Sequence, residues 1–327
     1  MTHCLVTGAT GYIGSRLVAR LARAGLTVTA TARNTAKLDA FDFPPEVQRV
    51  ELDVADAESC ADAFHQAGQV DAAYFLVHSV GEGAFAEHDL DSARNFAKAA
   101  ANAGVGRIVY LGGFVPGQEK LSEHLESRAE VGDALGEAGV DLVWLRAAII
   151  LGAGSTSYEL IRHIADRVPV IPIPTWMNHP VSPIAVDDVL RYLQASAEPD
   201  QVPAGAYDIS NGQTPTYAEL IKAYAAANNL SRLWLPFPPV PPAIVGHVAS
   251  WLTPLPRELT ADLILSLPNS MSSSDVRIRG LVPDPDGGLT TITEAWRRSQ
   301  HPGRPDGVWA TTDPLLLTDT DPDWAAA

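Results

Sequence analysis

The chain is poor in cysteine, which excludes a small secreted scaffold held together by disulfides. Only two cysteines, Cys4 and Cys60, occur among the 327 residues. One lies in a predicted strand and the other in a predicted helix, without the spacing of metal ligands. We therefore expect two small core residues in a reducing compartment, and no metal site.

Basic residues are also scarce: 23 Lys and Arg stand against 39 Asp and Glu, a formal net charge of −16. Because nucleic acids and anionic membranes attract a basic face, neither is expected as a partner. No apolar run is long enough to span a bilayer, and no basic segment followed by an apolar run opens the chain. The composition predicts an acidic cytoplasmic protein, monomeric or homodimeric, that binds small molecules and has no integral membrane association.

What the chain does have is a glycine-rich turn near its start. A short apolar run ends at Thr7, three glycines follow at Gly8, Gly11 and Gly14, and a helical pattern begins at once. A strand that turns tightly into a helix N-terminus presents free N–H groups and a dipole that favour a phosphate. Gly8 permits the turn, Gly11 lets the backbone approach a pyrophosphate, and Gly14 lets the helix pack closely. The predicted cofactor contacts in this turn are Gly8, Thr10, Gly11, Tyr12, Ile13 and Gly14.

Strand and helix patterns alternate after this turn, which predicts an α/β fold with a doubly wound parallel sheet, a Rossmann fold. We expect residues 1–152 to form the NAD(P)-binding domain, with strands and helices near 181–212 packing back on it. Residues 153–300 would form a smaller α+β substrate and lid region. The proline- and aspartate-rich residues 301–327 are expected to be a peripheral or disordered acidic tail.

The second predicted strand ends at Arg33 and Asn34, where such folds meet the adenosine ribose. A chain that binds NAD usually offers a carboxylate there, whereas this one offers Arg33, with Lys37 one turn later. Charge-assisted bonds from these side chains suit a 2′-phosphate, so NADP(H) is preferred and NAD(H) remains possible. The alternative is that Arg33 merely starts a solvated helix.

Further cofactor contacts are expected where the other strands end. Asp53 would accept from the adenine amino group, or cap the helix that begins near Ala55, or do both. His78 would contact the cofactor ribose or the substrate, unless it is a polar filler of its loop. The cofactor contacts predicted beyond the second strand are Asp53, Val54, Val77, His78, Ser79, Gly112, Gly113, Arg128, Ala147 and Ile149.

Residues 233–256 are apolar and carry seven prolines. A membrane-surface helix is one interpretation, but the predicted helix 243–252 has His247 as its only ionisable residue. An apolar lid or cleft wall is the favoured interpretation, with Trp176, Trp234, Phe237 and Trp251 as wall residues. The predicted substrate contacts are Phe114, His124, Trp176 and Trp251.

The segment from Thr7 to Gly14, Arg33 and the Asp53-Val54 pair resemble the atypical short-chain dehydrogenase/reductase superfamily, in its NmrA-like and epimerase-like branch. The segments 74–79, 110–113, 145–148 and 183–189 resemble a bacterial subgroup of NAD(P)-binding proteins. They resemble, more distantly, the nucleotide-binding accessory subunit of respiratory complex I. The resemblance covers about residues 3–300, and it implies the fold and the cofactor more specifically than the reaction.

The resemblance also implies a catalytic set that this chain lacks. Catalytic members use a serine after the fifth strand, and a tyrosine with a lysine four positions later that together handle the proton accompanying hydride transfer. The serine position reads Gly112-Gly113, while His124 and Arg128 keep the four-residue spacing. His124 is a candidate acid and Arg128 a candidate ribose-binding cation. The alternative is a solvated helix face of ordinary ion pairs.

Two functions follow. The first is an NADP(H)-dependent oxidoreductase acting on a small apolar carbonyl-, enone- or quinone-like substrate, and the sequence leans towards this enzyme. The second is a non-catalytic NADP(H)-binding redox sensor or assembly protein.

Overall fold

The computed structural model describes residues 1–77, 85–115, 123–267, 270–273, 275–300 and 305–326. Within these ranges it describes only the backbone at 85–87, 123, 124, 258, 262 and 266. The predicted contacts His78 and Ser79 therefore lie outside the described residues, as does the side chain of His124.

A seven-stranded parallel sheet forms the centre of the fold, in the order β10-β6-β5-β4-β1-β2-β3. Its strands are β1 (His3–Val6), β2 (Thr27–Ala32), β3 (Gln48–Glu51), β4 (Ala72–Phe75), β5 (Arg107–Gly113), β6 (Asp141–Ala147) and β10 (Gly205–Ile209). The direction of winding reverses between β1 and β4, where Cys4 pairs with Ala72. All four residues of β4 are buried, as expected for a strand covered on both faces. The doubly wound Rossmann fold is confirmed.

Helices cover both faces of this sheet. The helices of the first half are α1 (Tyr12–Arg23), α2 (Ala57–Ala67), α3 (Phe85–Asn102), α4 (Glu123–Gly136), α5 (Thr156–Arg167) and α6 (Val186–Ala195). Apolar residues of α2, α3 and α4 form one core with the sheet, and those of α1 and α6 belong to a second core on the other face. Cys4 and Cys60 are buried in these cores, and burial raises the pKa of each thiol to about 12. Their predicted role as core residues is confirmed.

The remaining elements form a smaller region beside the carboxyl ends of the strands. Its strands are β7 (Ile149–Leu151), which pairs with β9 (Pro183–Ala185), and β8 (Val170–Ile173), which pairs with β11 (Leu233–Pro236). Its helices are α7 (Tyr217–Ala227), α8 (Pro242–Leu252), α9 (Arg257–Ser266), α10 (Arg277–Leu281), α11 (Ile292–Arg298) and α12 (Asp323–Ala326). None of the described helices combines the length and the apolarity that a membrane span needs.

The end of the chain differs from its prediction. Within residues 305–326, Leu315 is fully buried and Asp321 forms a buried bidentate ion pair with Arg16 of α1. The Arg16 guanidinium also donates to the carbonyl oxygens of Pro314 and Leu316. The expected peripheral or disordered tail is thus, in its described part, packed on the first helix. The proline- and aspartate-rich composition predicted a peripheral or disordered segment, because composition does not show that one of the aspartates pairs with a buried arginine.

The Arg16–Asp321 pair predicts a measurable stability effect. Asp321→Ala would leave the Arg16 guanidinium buried without its carboxylate, so we expect a loss of about 3–5 kcal/mol in the free energy of unfolding. Urea denaturation of the full chain measures it. Asp319→Ala is the control, since Asp319 is exposed two residues earlier and should change stability by less than about 0.5 kcal/mol. Equal small effects from both variants would contradict a structural role for the pair.

Candidate functional site

The site begins where β1 and β4 diverge. The hydroxyl of Thr7 donates to the carbonyl of Tyr74 at 2.9 Å and accepts from the Leu76 N–H at 3.0 Å. One side chain therefore holds the ends of both strands at the reversal point of the sheet. Open α/β sheets bind their ligands in the crevice at this point.

The glycines of the turn are required by space as well as conformation. A Cβ atom on Gly14 would lie 2.1 Å from the carbonyl oxygen of Gly8, and one on Gly8 would lie 2.8 Å from the carbonyl oxygen of Leu76. Gly8 also has φ +62°, which disfavours residues with side chains. Helix α1 can therefore approach β1 closely only with glycine at these two positions.

The first turn of α1 is open to an anion. Gly11 occupies the cap position without a side-chain hydrogen bond, and no acidic residue lies in the first turn. The N–H groups of this turn and the positive end of the helix dipole thus face the crevice without a competing carboxylate. The turn fits the pyrophosphate of a dinucleotide.

One cavity of about 660 Å³ starts at this turn and extends past β5 and β6 into the smaller region. At the sheet end, its lining comes from the glycine turn, from strand ends and from α4. These residues are Gly8, Gly11, Tyr12, Ile13, Gly14, Leu76, Val77, Tyr110, Leu111, Gly112, Gly113, Leu125, Arg128, Ala147, Ala148, Ile149 and Ile150. The sequence-predicted contacts from the glycine turn, β5, β6 and Arg128 are thus brought together around one cavity.

The far end of the cavity is aliphatic. Residues of α5, α8 and α9 supply most of it, among them Ile161, Ile164, Val245, Leu263 and Ile264. Polar exceptions are the hydroxyls of Ser155, Thr156, Ser157 and Tyr217. Arg128 is the one charged side chain among the described lining residues. A ligand that fills this end must be largely apolar.

Arg128 is positioned by the two glycines that replace the expected serine. A Cβ atom on Gly113 would lie 3.0 Å from Cδ of Arg128, and one on Gly112 would lie 2.5 Å from Nε1 of Trp144. The glycines thus make room for the arginine stem and for the indole. Burial lowers the pKa of Arg128, while its proximity to Tyr110 and Asp89 opposes that shift. The site holds a fixed, partly desolvated cation at the junction of its two ends.

Two tyrosines frame the sheet end of the cavity. The Tyr110 hydroxyl donates to the carbonyl oxygen of Arg128 at 3.1 Å, and burial raises its pKa to about 12. Burial also raises the pKa of Tyr12, whose ring lies 4.0 Å below the Arg16 guanidinium. Both phenols stay protonated at neutral pH, and the Tyr110 hydrogen bond orients the turn of α4 that carries Arg128.

Several predicted contacts lie outside the cavity lining. They are Thr10, Arg33, Asn34, Lys37, Asp53, Val54, Phe114 and Trp251. Arg33 and Lys37 are exposed just beyond β2, and Asn34 caps a short 3₁₀-helix by accepting from the Ala36 N–H. Asp53 accepts from the Ala55 N–H, whereas the cap of α2 is Asp56. Of these eight residues, the five that follow β2 and β3 lie where the adenosine half of a dinucleotide would extend; they are Arg33, Asn34, Lys37, Asp53 and Val54.

The described lining of the cavity includes one of the four predicted aromatic wall residues. Trp176 lines the cavity, and its indole donates to the Val240 carbonyl at 3.0 Å. Trp234, Phe237 and Trp251 do not line it, and Trp251 is 69% exposed. The positions of the aromatic residues in the sequence did not indicate which side chains line the cavity. The apolar spacing of Leu160, Ile161 and Ile164 in the α5 segment was the signal that identifies the wall.

The packing of Gly112 predicts the effect of placing a serine at this position. Gly112→Ser would push Cβ into the Trp144 and Tyr110 rings, so we expect a loss of about 1–3 kcal/mol in unfolding free energy. Gly136→Ser is the matched control, because its Cβ meets only the Leu142 Cδ2 at an ordinary 3.7 Å. Denaturant melts of both variants decide it. Equal stability of the two would mean that Gly112 does not serve this packing.

Comparison with known proteins agrees with this geometry. Residues 8–167 match the model of a family described as NAD(P)H-binding. No curated protein matches the chain.

Solved structures share the fold at low sequence identity. A nucleoside-diphosphate-sugar epimerase from Staphylococcus aureus is 17% identical and aligns with a TM-score of 0.71, over 91% of this chain and 100% of its own. The triphenylmethane reductase of Citrobacter sp., in complex with NADP(H), is 19% identical with a TM-score of 0.68, over 91% and 99%. The Bordetella bronchiseptica enzyme WbmH, in complex with NAD+, is 20% identical with a TM-score of 0.65, over 91% and 96%. Residues 8–167 therefore match an NAD(P)H-binding family, and the chain shares its Rossmann fold with these solved structures.

Proposed function

We propose that this protein is an NADP(H)-dependent oxidoreductase that transfers hydride between NADPH and a small apolar carbonyl-, enone- or quinone-like substrate. The observation that carries the proposal is the single cavity that runs from the glycine turn to an aliphatic end. A cofactor seated on the turn would direct its nicotinamide towards the junction at Gly112, Gly113 and Arg128. The bound dinucleotide supplies the hydride.

The chain's own groups would hold the cofactor along the sheet edge. The open N–H groups of α1 take the pyrophosphate. Arg33 and Lys37, exposed beyond β2, take the 2′-phosphate and favour NADP(H) over NAD(H). The structural neighbours bind one or the other, NAD+ in one case and NADP(H) in another.

At the junction, the chain offers a fixed cation in place of the tyrosine and lysine. Arg128 keeps its charge at neutral pH and would stabilise negative charge that develops on a substrate oxygen. His124 lies one turn earlier in α4, and we propose that its imidazole, or a water that it orients, supplies the proton. The described lining residues include no histidine and no carboxylic acid.

The aliphatic end would select the substrate. Nucleotide-sugar enzymes must bind a diphosphate, which calls for several cations or N–H donors. Arg128 is the one cation among the described lining residues, so a compound of low charge fits this cavity better. Excluding water there also strengthens the field of Arg128 at the reacting atoms.

The second candidate, a non-catalytic NADP(H)-binding protein, is favoured by Gly112 and Gly113, which occupy the position where the catalytic members of the resembled superfamily carry a serine. NADPH binding followed by fluorescence, and NADPH consumption with a panel of quinones and aldehydes, separate the two functions. Turnover supports the enzyme, and tight binding without turnover of any compound favours the non-catalytic protein. Turnover unchanged in His124→Ala would keep the enzyme but remove His124 as its acid.

The aliphatic end predicts a substrate-selective variant. Ile164→Asp would place a carboxylate among apolar neighbours, so kcat/KM for an apolar substrate should fall about tenfold or more. NADPH affinity should stay unchanged, since the cofactor turn lies at the other end. Leu265→Asp is the control, because Leu265 is exposed on α9 and outside the lining. Unchanged kcat/KM in Ile164→Asp would place the substrate elsewhere.

Arg33 predicts the cofactor preference. Arg33→Asp should weaken NADPH binding about tenfold or more while affecting NADH little, because it removes the partner of the 2′-phosphate and adds a like charge. Fluorescence titration with both dinucleotides measures the two affinities. Equal weakening of NADPH and NADH would rule out a role in recognising the 2′-phosphate.

A further inference from the structure

An exposed apolar surface lies beside the cavity. We define the docking face as the exposed apolar side chains of β8, β11 and α8 and of the residue that follows β11. They are Val170, Leu233, Leu235, Phe237, Ile244, Val248, Trp251 and Leu252, each 39–69% exposed. Large exposed apolar side chains grouped in a few neighbouring elements are typical of a surface that contacts a partner or a membrane.

Helix α8 exposes one apolar face while its other face packs against the protein. Ile244, Val248 and Trp251 follow the spacing of one helical face, and all three are exposed. The opposite face packs on α9, where a Cβ atom on Gly246 would lie 3.5 Å from the Ala261 Cα. A helix that is apolar on both faces needs a second apolar environment besides the protein core.

The sequence that contains β11 and α8 has a net charge opposite in sign to that of the chain as a whole. Between Glu219 and Glu258 the sequence contains no Asp or Glu, but it contains Lys222, Arg232 and Arg257. In a chain with 39 acidic residues and 23 basic ones, this interval carries three positive charges and no negative one. The net charge of −16 argued against an anionic membrane only because it averages over this interval.

Two of these cations lie against tryptophan rings, one on the exposed Trp251 and one on the half-buried Trp234. The Arg257 guanidinium lies 5.1 Å from the centre of the Trp251 ring, and the Lys222 ammonium lies 5.8 Å from that of Trp234. Arg167 donates to the main-chain carbonyl of Leu252 at 2.9 Å, which fixes a further cation beside the end of α8. Paired tryptophan and cationic side chains are typical of segments that lie at a membrane–water boundary.

The docking face is continuous with the cavity. Val248 and Leu252 belong to the exposed surface and also line the aliphatic end. An apolar compound dissolved in a bilayer would therefore meet an apolar route into the cavity without crossing water.

We propose that the docking face binds the surface of an anionic lipid bilayer, with α8 lying in the headgroup region and the cavity open towards the lipid. The apolar stripe of α8 supplies burial, and Lys222, Arg232, Arg257 and Arg167 supply attraction to anionic headgroups. This inference goes beyond the proposed reduction, since the docking needs no catalysis.

Flotation of the full chain with lipid vesicles tests the proposal without any activity measurement. We expect binding to phosphatidylcholine vesicles that contain about one third phosphatidylglycerol, roughly tenfold stronger than to pure phosphatidylcholine. High salt should weaken the binding. A blue shift of tryptophan fluorescence on binding would report Trp251 entering the headgroup region.

Matched variants locate the surface. Ile244→Glu combined with Trp251→Glu should reduce vesicle binding about tenfold or more, because both side chains are exposed and outside the cavity lining. Val276→Glu is the control, since Val276 is 63% exposed but lies outside the docking face. Absence of binding to either vesicle, or equal losses in both variants, would overturn the proposal. So would a dimer, detected by sedimentation, that the double variant dissociates, because a second copy would then cover the face. Vesicle binding and NADPH consumption are measured separately. Failure of the membrane proposal can therefore be distinguished from failure of the proposed reduction.

Discussion

The close approach of helix α1 to strand β1 is the constraint on which the rest of the molecule depends. A Cβ atom on Gly14 would come within 2.1 Å of the Gly8 carbonyl oxygen, so this contact exists only between glycines. It aims the open end of α1 at the crevice that Thr7 holds between β1 and β4. On the opposite side, Arg16 of the same helix receives the end of the chain. The contact between Gly8 and Gly14 therefore fixes the position of helix α1. The N-terminus of α1 forms the phosphate site, and its Arg16 side chain binds the segment that contains Asp321.

From that point the cavity changes character along its length. It begins among main-chain N–H groups, passes the fixed cation of Arg128, and ends among aliphatic side chains of α5, α8 and α9. A dinucleotide and an apolar compound have complementary requirements that match these two ends. The docking face extends the same gradient outward, from the aliphatic end of the cavity to an exposed apolar surface with a basic rim.

The fold was predictable because local patterns in the sequence indicate its strands, helices and glycine turn. Short buried strands such as β4, the glycine spacing and the alternation with helices have few other interpretations. What was not predictable depends on contacts between distant residues. The burial of Asp321 against Arg16, about three hundred positions apart in sequence, has no local signature. The wall of the cavity was assigned to exposed aromatics such as Trp251, because burial in the small region depends on how α8 and α9 pack. The net charge of −16 did not reveal the basic interval between Glu219 and Glu258, because it is summed over the whole chain.

The central claim is that the dinucleotide and an apolar substrate share one cavity, and direct hydride transfer tests it best. The full chain would be incubated with NADPH carrying deuterium at C4 of the nicotinamide and with an apolar enone or aldehyde acceptor, whose reduction forms a C–D bond that does not exchange with water. If the dinucleotide and the substrate share the cavity, deuterium on the transferring face is found bonded to carbon in the reduced product. Tight NADPH binding, with no deuterium in any apolar acceptor, would contradict this claim.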